Sequence, residues 1–96
     1  MADEFLRSAA LGTEQLLHDR GLGNLHVRVY GNHLILYSGD PSDREQRVRL
    51  TELRRDHYRL DIAGRGGRWE STPFIGSRDE LFAQLTDQFA FLLAPW

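Results

Sequence analysis

The chain has 96 residues, of which 41 % are apolar and 27 % are charged, and its formal net charge is −2. These values are typical of one globular domain, so they exclude intrinsic disorder and a deep cleft between two domains, and the net charge leaves no global basic excess that would demand a nucleic acid or a membrane. Cysteine is absent, which excludes disulfides, thiolate zinc sites and a cysteine nucleophile.

The first residues include two acidic side chains, Asp3 and Glu4. Acids at these positions do not suit the basic start of a secretion signal, and no apolar segment of the kind found in such signals follows. No apolar run reaches the roughly 18 residues that a membrane-spanning helix needs. We therefore expect a cytoplasmic protein that does not bind a membrane.

A first helix is predicted over residues 3–19. The apolar residues that recur there at helical spacing, with their immediate neighbours, are Phe5, Leu6, Ala9, Ala10, Leu16 and Leu17. Gly21 and Gly23 indicate where the helix ends, because glycine is favoured just past a helix C-terminus.

A β-hairpin is predicted next, with strands at residues 25–30 and 33–37 joined by the two-residue turn Gly31 and Asn32. In this register Tyr30 faces His33, and His26 faces Tyr37. The face predicted to meet the core carries Val27, Val29, Leu34 and Leu36. The opposite face carries His26, Arg28, Tyr30, His33, Ile35 and Tyr37.

Three further strands are predicted at residues 46–53, 58–62 and 68–74. A loop at 39–43, a polar turn at 54–57 and a glycine-rich turn at 64–67 separate them. Alternation turns Val48, Leu50, Tyr58, Leu60, Ile62 and Trp69 inward, and Arg47, Arg49 and Arg59 outward. Pro73 cannot donate to a sheet ladder, so the last strand should end there or lie at a sheet edge.

A second helix should begin at the capping box formed by Ser77 and Glu80, whose side chains can each bond to the other residue's backbone amide. The apolar stripe that follows consists of Leu81, Phe82, Leu85, Phe89, Leu92 and Leu93. Trp96 follows Pro95 at the end of the chain, where it either docks on the protein's own core, the alternative we favour, or anchors a partner chain.

The order of elements predicts a single α+β domain over residues 1–96. We expect a two-layer sandwich in which a helix, five antiparallel strands in a meander and a second helix follow one another, with both helices on one sheet face. The predicted core consists of Phe5, Leu16, Val27, Val29, Leu34, Leu36, Val48, Leu50, Leu60, Ile62, Trp69, Leu81, Leu85 and Phe89.

The later part of the chain resembles the frataxin family. Residues 58–62, Trp69 and residues 80–85 look like that family's corresponding strand, tryptophan and C-terminal helix. The resemblance implies two terminal helices on one face of a meander sheet, and iron handling through acidic residues of the first helix and strand. Residues 25–30 carry no acid, and residues 46–50 lack the family's Gln-x-Trp-Leu pattern, so only the architecture is carried over.

No catalytic residue, metal ligand or cofactor-binding residue is predicted. The glycine-rich turn precedes a strand, not the helix that a phosphate loop requires. Asp56 and His57 lack a neighbouring nucleophile and an enclosed cavity. The histidines, at positions 18, 26, 33 and 57, show no metal-binding spacing. The acids of the first helix, Asp3, Glu4, Glu14 and Asp19, leave a weak hard-cation site as an alternative.

The sheet face without helices is the predicted binding surface. Its candidate binding residues are Arg28, Tyr30, Tyr37, Arg47, Arg49 and Arg59, with Arg68 nearby and Glu45, Asp61 and Glu70 as opposing acids. Three interpretations stay open: an inert salt-bridged face, contact with a protein partner or a second copy, and binding of single-stranded nucleic acid. The leading hypothesis is a non-catalytic protein-interaction module. Frataxin-like metal handling ranks below nucleic-acid binding.

Overall fold

A computed structural model describes residues 4–94 and shows the predicted order of elements. The helices are α1 (Glu4–Asp19) and α2 (Arg78–Gln88), and the strands are β1 (Leu25–Tyr30), β2 (His33–Asp40), β3 (Asp43–Arg54), β4 (His57–Ala63) and β5 (Trp69–Gly76). Short 3-10 turns occupy Arg65–Gly67 and Ala90–Leu92. Asp3 and Trp96 lie outside the described residues. Within residues 4–94, neither helix is long and apolar enough to cross a membrane.

The five strands form one open antiparallel sheet in the order β1-β2-β3-β4-β5, which confirms the predicted meander. The first hairpin has the predicted register, with Tyr30 opposite His33 and His26 opposite Tyr37. Gly31 adopts a φ of 60°, a conformation that glycine reaches without steric cost and that a two-residue hairpin turn needs. Pro73 lies in β5, which is an edge strand as its missing amide hydrogen requires.

The prediction of a loop at residues 39–43 is wrong. The β2–β3 ladder continues through these residues, with Asp40 opposite Asp43, so that only Pro41 and Ser42 form the turn. Gly39 has a φ of 90°, and a β-carbon there would approach the carbonyl oxygen of Asp43 to 2.5 Å. The glycine that suggested a loop is therefore the residue that lets the two strands stay paired.

Both helices pack on one face of the sheet and enclose a single core. Its fully buried members include Leu17, Leu34, Leu36, Val48, Leu50, Tyr58, Leu60, Leu81 and Leu85. The buried line of α1 consists of Leu6, Ala10, Thr13 and Leu17. The hydroxyl of Thr13 donates to the carbonyl of Ala9 at 2.7 Å, which satisfies this buried polar group inside the helix.

Two residues of the predicted core lie elsewhere. Phe5 is 37 % exposed, with the Arg55 guanidinium 4.3 Å from its ring centroid. Trp69 pairs with Ala63 and lies under the guanidinium of Arg49, on the sheet face opposite the helices. The orientation of Trp69 follows from its partner Ala63, which alternates in β4 to the same face as Asp61, whereas Phe74 of the same strand packs against the core.

The capping box of α2 is confirmed. The Ser77 hydroxyl accepts from the amide of Glu80 at 3.1 Å, and the Glu80 carboxylate accepts from the amide of Ser77 at 2.8 Å. These bonds lower the pKa of Glu80 below its usual value. Three residues of the predicted apolar stripe lie within α2 and are buried: Leu81, Phe82 and Leu85. The 3-10 turn that follows α2 contributes further buried surface toward the chain end.

Candidate binding face of the sheet

We call the sheet face turned away from the helices the outer face. Five of the six candidate binding residues belong to it: Arg28, Tyr30, Tyr37, Arg49 and Arg59. The strand register adds His26, His33, Ile35, Arg44, Thr51, Asp61, Trp69 and Ile75. The face therefore combines guanidinium groups, aromatic rings and two aliphatic side chains, of which Ile35 was predicted from the sequence and Ile75 was not.

Arg47, the sixth candidate, does not lie on the outer face. Leu36 pairs with Val48 while Tyr37 pairs with Gln46, so Arg47 is the extra residue of a β-bulge. Its side chain turns to the helix side, where Nη1 donates to the carbonyls of Leu92 at 3.1 Å and Ala94 at 2.7 Å. Arg47 is 3 % exposed, and this burial lowers its pKa. It holds the C-terminal segment against the sheet.

A buried carboxylate organises the centre of the outer face. Asp61 is fully buried and accepts hydrogen bonds from Arg49 Nε at 2.9 Å, from Arg59 Nε at 2.8 Å and from the hydroxyl of Thr51 at 2.6 Å. Burial by itself would raise the pKa of Asp61, but the bonds from Arg59, Thr51 and Arg49 outweigh it and lower that pKa below the usual value. Asp61 is therefore ionised and paired in the folded protein.

His33 extends this network by one hydrogen bond. The single hydroxyl proton of Thr51 is donated to Asp61, so Thr51 Oγ1 accepts from His33 Nδ1 at 2.9 Å, and the ring carries its proton on Nδ1. Burial, followed by the charge of Arg49, lowers the pKa of His33, which favours the neutral ring. The sequence offered one signal for this cluster, namely the predicted outward parity of Asp61 between outward-facing arginines.

Three aromatic rings of the outer face each lie under a guanidinium group. The distances from guanidinium carbon to ring centroid are 5.4 Å for Arg28 over Tyr30, 5.1 Å for Arg44 over Tyr37 and 4.8 Å for Arg49 over Trp69. These distances are within the range of cation–π attraction. Neither Arg44 nor Trp69 was among the predicted binding residues, because Arg44 preceded the predicted strand at 46–53 and Trp69 lay in the predicted core.

The charge of the outer face differs from the sequence-based expectation. Glu45 pairs with Ser38 and Glu70 pairs with Ile62, so both acids alternate to the opposite side of the sheet. Arg68 precedes β5 and is exposed. The strand residues of the outer face thus present four guanidinium groups, and their one carboxylate is the buried Asp61. The face is basic, and its accessible charge is all of one sign.

One concave surface, open to solvent, lies between the end of β4 and the start of β5. It lies beside the predicted glycine-rich turn and is lined by Gly64, Arg65, Trp69 and Glu70 among others. The turn itself is confirmed as a connection between β4 and β5, with φ of 66° at Gly66 and 76° at Gly67.

Comparison of the chain with family models, with curated proteins and with solved structures gave no match. The order of helices and strands agrees with the frataxin resemblance, and every other property that the resemblance implies stays a prediction. A shared order of helices and strands does not identify a function, which depends on the chemistry of a site.

Proposed function

We propose that the chain is a non-catalytic interaction module whose outer face binds a protein partner that presents acidic side chains. The observation that supports this proposal is that the outer face combines accessible positive charge with exposed apolar surface. Tyr30 is 64 % exposed and Ile75 is 52 % exposed, while the face's one carboxylate is buried. Tyrosine and arginine are enriched at protein interfaces, where the ring is buried and the guanidinium pairs with a carboxylate.

The hydrogen-bond pattern favours a protein partner over a nucleic acid. Arg49 and Arg59 already bond to Asp61, so much of their charge is neutralised inside the face. Arg28 and Arg44 lie apart from that carboxylate and each covers a tyrosine ring. Two such groups supply few phosphate contacts, whereas high affinity for nucleic acid depends on many.

The same charge disfavours a symmetric dimer through the outer face. A two-fold interface places the same patch of both subunits together, and here it would bring guanidinium groups against guanidinium groups. A partner of opposite charge avoids this repulsion, and complementary charge also speeds association. We therefore assign the face to a different, acidic protein.

The test uses a labelled synthetic peptide in which glutamate alternates with tyrosine. We expect micromolar binding in fluorescence anisotropy and, in ¹⁵N spectra, shifts confined to outer-face residues of β1 to β3. The double substitution Arg28→Glu with Arg44→Glu should weaken binding at least tenfold, because it reverses the two cations outside the Asp61 network. The matched control, Arg7→Glu with Arg20→Glu, reverses two exposed cations on the helix side of the sheet and should bind as the parent does.

Single-stranded nucleic acid is the second candidate, favoured by one observation: no exposed carboxylate lies among the described strand residues of the outer face. A labelled oligothymidine in the same assay separates the two. Binding that is tighter than that of the peptide and falls steeply with salt would replace the protein proposal, since phosphate contacts release counterions. If neither probe binds at low salt, or if the control pair weakens binding equally, the outer face is an inert salt-bridged surface.

A further inference from the structure

Three metal-binding side chains meet where α1 runs along the free edge of β1. Glu14 and His18 lie four residues apart on α1, so they share one side of the helix, and His26 is the second residue of β1. One potential ligand atom from each of the three lies within 4.8 Å of those of the other two. The ligands of a tetrahedral zinc ion are about 3.3 Å apart, so small side-chain rotations bring the three atoms around one ion.

The carboxylate of this cluster is already held in place. Glu14 Oε1 lies 3.1 Å from His26 Nδ1 and accepts from the backbone amide of Val27 at 3.2 Å. That amide belongs to the unpaired edge of β1, so the bond also covers an exposed strand edge. Two of the three ligands are therefore adjacent and oriented before any ion binds, which reduces the ordering that binding requires.

The third ligand has a defined tautomer. The carbonyl of Leu25 lies 3.0 Å from His18 Nε2, and a carbonyl only accepts, so the neutral ring carries its proton on Nε2. The lone pair is then on Nδ1. A hydrogen bond from one ring nitrogen to a backbone carbonyl, with the other nitrogen free to coordinate, is the arrangement that orients metal-binding histidines in proteins.

The surroundings leave one side of the cluster open. Glu14 and His26 are partly buried, whereas His18 is exposed. The ring of Tyr37 lies 5.6 Å from that of His26 and covers it from the neighbouring strand. An ion held here would keep at least one position for water, as ions do in sites with three protein ligands.

We propose that Glu14, His18 and His26 form a binding site for a divalent transition-metal ion of the zinc type. Two imidazole nitrogens and one carboxylate oxygen suit such ions, whereas Mg²⁺ and Ca²⁺ prefer oxygen ligands alone. Binding displaces the proton shared between His26 and Glu14 and joins α1 to β1 through the ion. The site uses imidazole, so it differs from the acidic ridge that the frataxin resemblance implied, and it involves none of the arginines of the proposed interface.

The test is a competition titration of the untagged protein with Zn²⁺ and a chromophoric chelator. We expect one ion per chain. His18→Ala removes an exposed ligand and Glu14→Gln keeps an acceptor for the Val27 amide, and each should weaken binding by more than about 100-fold, because even loss of an outer-shell partner weakens a metal site 10- to 100-fold. The control His57→Ala removes a histidine of β4, which β2 and β3 separate from β1, and should bind within twofold of the parent.

Imidazole spectra give an independent readout. Zn²⁺ should shift the ring signals of His18 and His26 and leave those of His33 and His57 in place, and millimolar Mg²⁺ should shift none of them. The proposal is overturned if the parent binds no Zn²⁺ at 1 mM, if His18→Ala binds as the parent does, or if His57→Ala weakens binding as much. Peptide binding by the outer face is measured without metal, so either proposal can fail while the other stands.

Discussion

The two faces of the sheet bury their side chains by different means. On the helix side, Leu60 is buried because α1 and α2 cover an apolar surface. On the outer face no second layer exists among the described residues, yet the neighbouring Asp61 is just as buried, since Arg49 and Arg59 fold over it. The comparison teaches that a sheet face without helices need not be an open surface. Long arginine side chains form its cover, and one carboxylate holds them there.

The largest expected effects come from the adjacent residues Leu60 and Asp61. Leu60→Ala should destabilise the protein by about 2–5 kcal/mol because it leaves a cavity in the helix-covered core. Asp61→Asn should cost about 3 kcal/mol, at the low end for breaking a buried pair, because both partly exposed guanidinium groups can turn toward water. Urea denaturation measures both. A loss below 1 kcal/mol for Asp61→Asn would show that the outer face is not held together by its carboxylate.

Arg47 allows the same test on the other face, because it is an arginine whose side chain lies on the helix side of the sheet. Arg47→Ala should destabilise the protein by about 1–3 kcal/mol, since it leaves the carbonyls of Leu92 and Ala94 without this donor. The matched control Arg65→Ala changes an exposed arginine in a turn and should stay within about 0.5 kcal/mol of the parent. Thermal and urea unfolding of the two variants provide the measurement, and equal stabilities would contradict the assigned role of Arg47.

The difference in acid dependence between the parent and Asp61→Asn reports on the outer face. The pKa of Asp61 is lower in the folded protein than its usual value of 3.8. The stability from this carboxylate is therefore fully present above that value and is lost as the pH falls below it, toward the folded-state pKa. The difference in unfolding free energy between the parent and Asp61→Asn should shrink below about pH 4. A difference that stays constant down to pH 2 would assign the stabilisation to something other than the charge.

The smallest expected effect on stability is that of removing the hydroxyl of Tyr58, which lies on the helix side of the sheet. Its hydroxyl is buried without a hydrogen-bond partner, so Tyr58→Phe should change stability by less than about 1 kcal/mol and can raise it. Burial raises the pKa of Tyr58 from 10.0 to about 12. The neutral form is therefore favoured on folding, and its stabilisation is present below pH 10 and lost as the pH rises toward 12. Unfolding in alkali should show this loss in the parent and not in Tyr58→Phe.

Sequence reasoning succeeded where one local pattern decides the structure. The register of the first hairpin follows from alternation and a two-residue turn, and Ser77 and Glu80 mark the start of α2. It failed at Arg47 and Trp69 because alternation is interrupted by a bulge in β3 and is too weak to orient the polar strand β5. It also missed the cluster formed by Glu14, His18 and His26. The four-residue spacing of Glu14 and His18 is present in the sequence, but spacing between histidines alone does not reveal a histidine that lies beside a glutamate.

The sequence by itself determined the class of fold, the order of elements and the pairing of neighbouring strands, because hydrophobic periodicity, turn residues and caps act over a few residues. Only the tertiary structure decided which charged groups are accessible. Asp61 is buried by arginines from two strands, Arg47 bonds to carbonyls more than forty residues away, and His26 meets α1 across a sheet edge. Such contacts depend on bulges, sheet twist and helix placement, which no local pattern encodes. The candidate sites therefore required the folded chain.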